Sequence, residues 1–109
     1  MEAREGVSGR TGKIKWKLSN GTLVISGNGE MPNYESNVSK SWHPYRNFIT
    51  TVIIENGVTT IGQYAFHKCE NLTSILIPKS VTKIQYWAFD NMYCKNLFSI
   101  NVDIHKPYG

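Results

Sequence analysis

The chain repeats itself. Residues 49–66 and 72–89 carry one pattern in register. Val52 and Ile75, Ile54 and Ile77, Val58 and Val81, Ile61 and Ile84, Ala65 and Ala88, and Phe66 and Phe89 are each 23 positions apart. A third copy opens at Leu97-Phe98-Ser99-Ile100-Asn101-Val102. A unit this short cannot bury its own apolar face. Stacked copies bury it against one another, so the pattern predicts a solenoid. Solenoids present long surfaces and serve mostly as binding scaffolds. The repeat therefore points to a binding role, without naming a ligand.

Within each unit the order is strand, turn, extended stretch, short helical turn. Val52-Ile53-Ile54 and Ile75-Leu76-Ile77 are rich in β-branched residues and read as strands. Asn56-Gly57 and Pro78-Lys79-Ser80 read as turns. Residues 63–67 and 86–89 read as brief helical turns, with Ala65 and Ala88 permitting close approach and Phe66 and Phe89 plugging the layers. A period in the range of roughly 20–29 residues marks a leucine-rich type of β-solenoid. After Phe89 the second copy is longer, because Cys69 to Cys94 and Leu72 to Leu97 span 25 positions. The insertion falls in Asp90-Asn91-Met92-Tyr93, where a loop absorbs extra length.

Before the repeats, Lys13-Ile14-Lys15-Trp16-Lys17-Leu18 alternates basic and apolar residues, the pattern of a half-buried strand. Asn20-Gly21 is a strong hairpin signal, and Thr22-Leu23-Val24-Ile25-Ser26 returns. Residues 13–48 are thus an N-terminal cap built on a β-hairpin, and residues 49–109 hold two full repeats and a partial third. Trp42, Tyr45 and Phe48 are expected to seal the open end of the first repeat, with a short helical turn starting at Pro44. Residues 1–12 are polar and read as a flexible tail.

The totals exclude several classes. A hydrophobic fraction of 40% and a charged fraction of 18% belong to a folded chain rather than a disordered one. No apolar run approaches the roughly 18 residues of a membrane span. The opening Met1-Glu2-Ala3-Arg4-Glu5 is charged and lacks the apolar core of a signal peptide, which does not exclude secretion. The net charge is +4, but the Lys and Arg residues are scattered and no nucleic-acid motif appears.

Candidate chemistry is sparse. His43, His67 and His105 lie apart and form no nucleophile motif, and His67 falls on the exposed side of its turn by period. Glu55 and Asp103 occupy equivalent strand ends two repeats apart, too separated for an acid/base couple. Gly27-Asn28-Gly29 lacks the strand–helix setting of a phosphate loop. Cys69 and Cys94 occupy equivalent repeat positions. Two readings stand: buried thiols filling adjacent layers, which is favoured, or a disulfide between stacked copies. Two cysteines and one nearby histidine do not make a zinc tetrad. Asn20-Gly21-Thr22, Asn37-Val38-Ser39 and Asn71-Leu72-Thr73 fit the glycosylation sequon but follow equally from turns and repeat architecture. The chain is read as non-enzymatic, with no cofactor and no metal.

Strand alternation sorts the repeat residues. Val52, Ile54, Ile75, Ile77, Ile100 and Val102 are assigned inward. Thr51, Ile53, Glu55, Ser74, Leu76, Ser99 and Asn101 are assigned outward and form the candidate ligand-binding face, together with Asp103. Ile53 and Leu76 fall side by side there, and Val24 of the cap extends the row. Adjacent exposed aliphatics suggest a contact patch.

The unit Leu72-Thr73-Ser74-Ile75-Leu76-Ile77-Pro78-Lys79-Ser80-Val81-Thr82-Lys83-Ile84, followed by Ala88-Phe89, resembles the BspA-like leucine-rich repeat. Residues 52–72 match it as well. The stretch Trp16 to Gly29, with Met31, Tyr34 and Trp42, is similar to the cap that precedes such repeats. Gln85 departs from the family's glycine. The resemblance covers about residues 13–109. It implies an extracellular or cell-surface protein, found mostly in host-associated bacteria and some protozoa. It also implies a protein-binding or adhesion role with a host or matrix protein as ligand. The alternative is a structural spacer that contacts only neighbouring repeats of its parent. The third strand arrives without the elements that complete a repeat. An open carboxyl edge is therefore expected, covered by a continuing chain or by an end-to-end homodimer.

Overall fold

A computed structural model describes residues 6–34, 41–85 and 87–89, and the strand pairing of Ser99–Val102. The insertion at 90–93, Cys94, Asp103 and His105 lie outside the described residues.

The cap begins with β1 (Val7–Thr11), β2 (Ile14–Ser19) and β3 (Thr22–Gly27), paired antiparallel in sequence order. The β2–β3 hairpin closes through Asn20 (φ 51°) and Gly21 (φ 82°). Both central residues take positive φ, as a type I′ turn requires, and its twist matches the strands it joins. Alternation places Ile14, Trp16 and Leu18 in the core and leaves Lys15 and Lys17 exposed.

β1 corrects the sequence reading. The sequence places residues 7–11 in a flexible tail, whereas here they form the edge strand of the main sheet. The inward positions of β1 carry no apolar alternation because one of them is Gly9. A Cβ on Gly9 would lie 2.8 Å from Nε1 of Trp16, so the missing side chain makes room for the indole. Thr11, the next inward residue, is buried and accepts a hydrogen bond from the Tyr34 hydroxyl at 3.2 Å.

The repeats continue the same sheet. β5 (Thr51–Ile54), β7 (Ser74–Ile77) and β9 (Ser99–Val102) are parallel to one another and to β3. The order across the six strands is β1-β2-β3-β5-β7-β9. The extended stretches form a second, three-stranded sheet of β4 (Gly29–Glu30), β6 (Val58–Ile61) and β8 (Lys83–Ile84). The period becomes visible as hydrogen bonds. Thr50 N donates to Gly21 O at 2.8 Å, and Thr73 N donates to Thr50 O at 2.8 Å. The two hydroxyls reinforce the same acceptors, at 3.2 and 3.0 Å. Each coil of the solenoid thus satisfies the carbonyl that the coil before it leaves open.

The core fills the space enclosed by the coils. Val52, Ile54, Ile75 and Ile77 point in from the main sheet, and Val58 and Ile61 from the second. The turn after β6 runs through successive three-residue hydrogen bonds: Ala65 N to Gly62 O, His67 N to Tyr64 O, and Cys69 N to Phe66 O. Tyr64 and Trp87, one period apart, both take positive φ (60° and 61°), so the two copies bend alike.

A column of rings runs along the stack. Trp42 stacks on Phe66 at 5.8 Å, and Phe66 on Phe89 at 5.4 Å. Phe66 and Trp42 are fully buried, whereas Phe89 is half-buried. Trp16 meets Trp42 edge-on at 6.2 Å. Trp42 also donates its Nε1–H to Ala65 O at 2.8 Å, so the cap's main plug is held by both packing and a hydrogen bond. The turn expected at Pro44 is a short 3-10 segment, His43–Phe48, with Pro44 in its first positions. Of the three aromatic residues assigned to the seal, Trp42 is buried and Tyr45 half-buried, but Phe48 is 44% exposed and seals little.

Candidate functional site

The outer face of the main sheet is built by register. Val24 lies opposite Ile53, Ile53 opposite Leu76, and Leu76 opposite Asn101. On the cap side, Lys17 lies opposite Val24 and Ser8 opposite Lys17. A single transverse row therefore crosses from a serine through a lysine to three aliphatic residues. Leu76 is 39% exposed, and Val24 and Ile53 are half-buried. A parallel row runs Thr22, Thr51, Ser74, Ser99. Thr51 and Ser74 are half-buried, and Glu55, just past the end of β5, is exposed. The backbone of β9 puts Ser99 and Asn101 at the ends of the two rows. The seven residues selected from the sequence thus belong to one sheet and its margin.

The sequence reading extended this face into the cap only through Val24 and omitted the cap's charged residues. Arg10, Lys15 and Lys17 are exposed on β1 and β2, and Arg10 is the direct cross-strand partner of Lys15. Together with Ser8, Ser26 and Glu55 they line an open depression of about 640 Å³. The alternation of basic residues over 13–17 was visible. Its placement beside the repeat strands follows only from β2 and β3 joining the same sheet.

Buried polar groups lie elsewhere, in the seam between cap and first repeat. Tyr34 has its hydroxyl pushed up to about 12 by burial, partly offset by its hydrogen bond to Thr11. His43 is buried and hydrogen-bonds through Nε2 to Tyr64 O at 3.1 Å, which makes that nitrogen the N–H. Burial holds its pKa below the usual 6.5; the backbone bond to Tyr64 opposes this, and neighbouring His67 adds to it. His67, read from the sequence as a surface histidine, is also buried, with its ring edge-on to Tyr64 at 5.3 Å. The stacking of cap on repeat brings His43 against Tyr64, a contact that the period alone does not report. Cys69 is fully buried, in keeping with a small apolar position.

Among the described residues no group of three His, Cys, Asp or Glu side chains is arranged to hold a metal ion. No helix among them is long and apolar enough to cross a membrane.

A regular coil of parallel strands, capped at one end by a hairpin and presenting one open sheet face, is a leucine-rich solenoid. The chain belongs to the BspA-type leucine-rich repeat family. Residues 37–106 match the family model described as "BspA type Leucine rich repeat region (6 copies)". The fold is similar to the crystal structure of a leucine-rich repeat protein from Eubacterium ventriosum ATCC 27560, with a TM-score of 0.78 and 30% sequence identity. That similarity covers 90% of this chain and 26% of the other, so this chain spans about a quarter of that protein's length. The comparison with curated proteins returned no match. Membership in this family is consistent with a protein-binding scaffold.

Proposed function

We infer that this chain is a protein-binding module of a secreted or cell-surface adhesin, and that its ligand lies across the outer face of the six-stranded sheet. The observation that carries the reading is the register Val24–Ile53–Leu76, an aliphatic row on the open side of a sheet whose other side is already core. Flat sheet faces of solenoids suit extended protein contacts, and aliphatic residues set among Thr51, Ser74 and Glu55 give an apolar centre with a polar rim. A host or matrix protein is the ligand class, and no catalytic step is assigned.

The test is binding of the purified chain to a panel of immobilised extracellular matrix proteins, beside an Ile53→Ser/Leu76→Ser variant. Both positions are solvent-facing, so the variant should fold. Loss of binding in the variant supports the reading. Equal binding by both proteins, or by neither, rejects it.

A spacer role is the second reading, favoured by two large apolar side chains left exposed on the repeats. On that reading Ile84 and Trp87, 49% and 59% exposed, pack against neighbouring repeats or a second copy, and the isolated chain binds no matrix protein.

A further inference from the structure

We propose that the cap end of the sheet face is a subsite for the carboxylate side chains of an extended acidic segment in a partner protein. The proposal rests on the sheet-face reading above and names the partner chemistry at one end of it.

Three cations, Arg10, Lys15 and Lys17, project from adjacent strands into one depression, and Glu55 is the single carboxylate among the described residues that line it. Arg10 and Lys15 are directly opposed across β1 and β2. Like charges in that position repel and weaken the strand pair. The fold therefore holds a local excess of positive charge at a cost, and a bound anion relieves it. Ser8 and Ser26 add hydroxyl donors to the same lining.

The neighbouring surface favours a peptide over an acidic polysaccharide. Lys17 stands directly beside Val24, and the row continues to Ile53 and Leu76. A polysaccharide has no aliphatic side chains to set on that row, whereas an acidic segment followed by leucine or valine matches both ends. From β1 to β7 there are four strand steps, about 19 Å at about 4.8 Å each. An extended segment of about six residues covers that distance.

The probe is a synthetic peptide of about eight residues, with glutamates in one half and leucines in the other, titrated calorimetrically into the chain. Parallel titrations use a glutamine-for-glutamate peptide and heparin. Binding of the acidic peptide is expected to weaken about tenfold in an Arg10→Gln/Lys15→Gln/Lys17→Gln variant, each exposed ion pair contributing a factor of a few. It should also weaken in the wild-type chain as salt rises from about 50 to about 500 mM, with little salt response left in the variant. The variant should melt no lower than wild type, because it loses repulsion and no core contact. Equal affinity of wild type and triple variant overturns the proposal, as does failure of the acidic peptide to bind at millimolar concentration. Binding of heparin without the peptide overturns it in favour of a polysaccharide. The Ile53→Ser/Leu76→Ser chain separates the two readings. If it loses the peptide while the triple variant keeps it, the sheet-face reading stands and the acidic subsite fails.

Discussion

Gly62 is the position where one added carbon should do the most harm. Its backbone lies against the cap, and a Cβ built there would sit 1.8 Å from the carbonyl oxygen of Pro32 and 2.8 Å from its carbonyl carbon. Ordinary contact begins near 3.4 Å, so the oxygen must retreat by about 1.6 Å. It cannot do so by rotating a side chain, because the obstacle is main chain. The segment it belongs to is pinned on both sides. Met31 N donates to Thr60 Oγ1 at 3.1 Å, Tyr34 N to Gln63 O at 2.7 Å, and Gln63 N to Asn33 Oδ1 at 2.7 Å. Displacing Pro32 stretches at least two of these bonds, each contributing about 1 kcal/mol net. Overpacking adds about 1–3 kcal/mol more. Gly62→Ala is therefore expected to cost about 3–5 kcal/mol, a fall in Tm of roughly 12–20 °C for a domain of this size. Urea titration followed by circular dichroism measures it. One period later the family glycine is replaced by Gln85, half-buried and bonded through its N–H to Ile61 O at 2.9 Å. Gln85→Ala should change stability by less than about 1 kcal/mol. A Gly62→Ala protein as stable as wild type would refute the argument that the cap's main chain fills that space.

Phe66→Ala should cost about 3–5 kcal/mol, because it opens a gap between the rings of Trp42 and Phe89; a loss under about 1 kcal/mol by urea titration would contradict the ring column. Burial keeps the His43 pKa below its usual 6.5, so below about pH 6.5 the unfolded chain takes up a proton that the folded one resists. Stability should then fall as pH drops from 6.5 towards the lowered pKa, and a His43→Gln chain should show a flatter urea midpoint between pH 7.5 and 5. Cys69 is fully buried, so once any disulfide has been reduced it should react with maleimide only on unfolding, and rapid labelling of the reduced, folded chain would contradict its place in the core. Intact mass with and without reductant tests the thiol reading of Cys69 and Cys94, and a gain of about 2 Da on reduction would replace it with a disulfide.

The repeat and the hairpin were legible because both rest on local or strictly periodic signals. Residues 23 positions apart in sequence became neighbours in adjacent coils, as Thr50 and Thr73 or Phe66 and Phe89 illustrate. Alternation in β2, β5 and β7 separated core from face, and Asn20-Gly21 announced its own turn. Contacts between unlike segments were not legible. β1 escaped notice because Gly9 stands inward only to accommodate Trp16, a relation between strands rather than along one. The contact of His43 with Tyr64 depends on how the cap seats on the first repeat, and both His43 and His67, though buried, are polar enough to read as surface. Alternation in the cap hairpin marks Lys15 and Lys17 as exposed, but only the pairing of β3 with β5 makes them part of the repeat face. Periodicity encodes what each coil does to the next identical coil. The cap belongs to no period, so its register, its buried polar seam and its cluster of charge arise only when it closes the end of the stack.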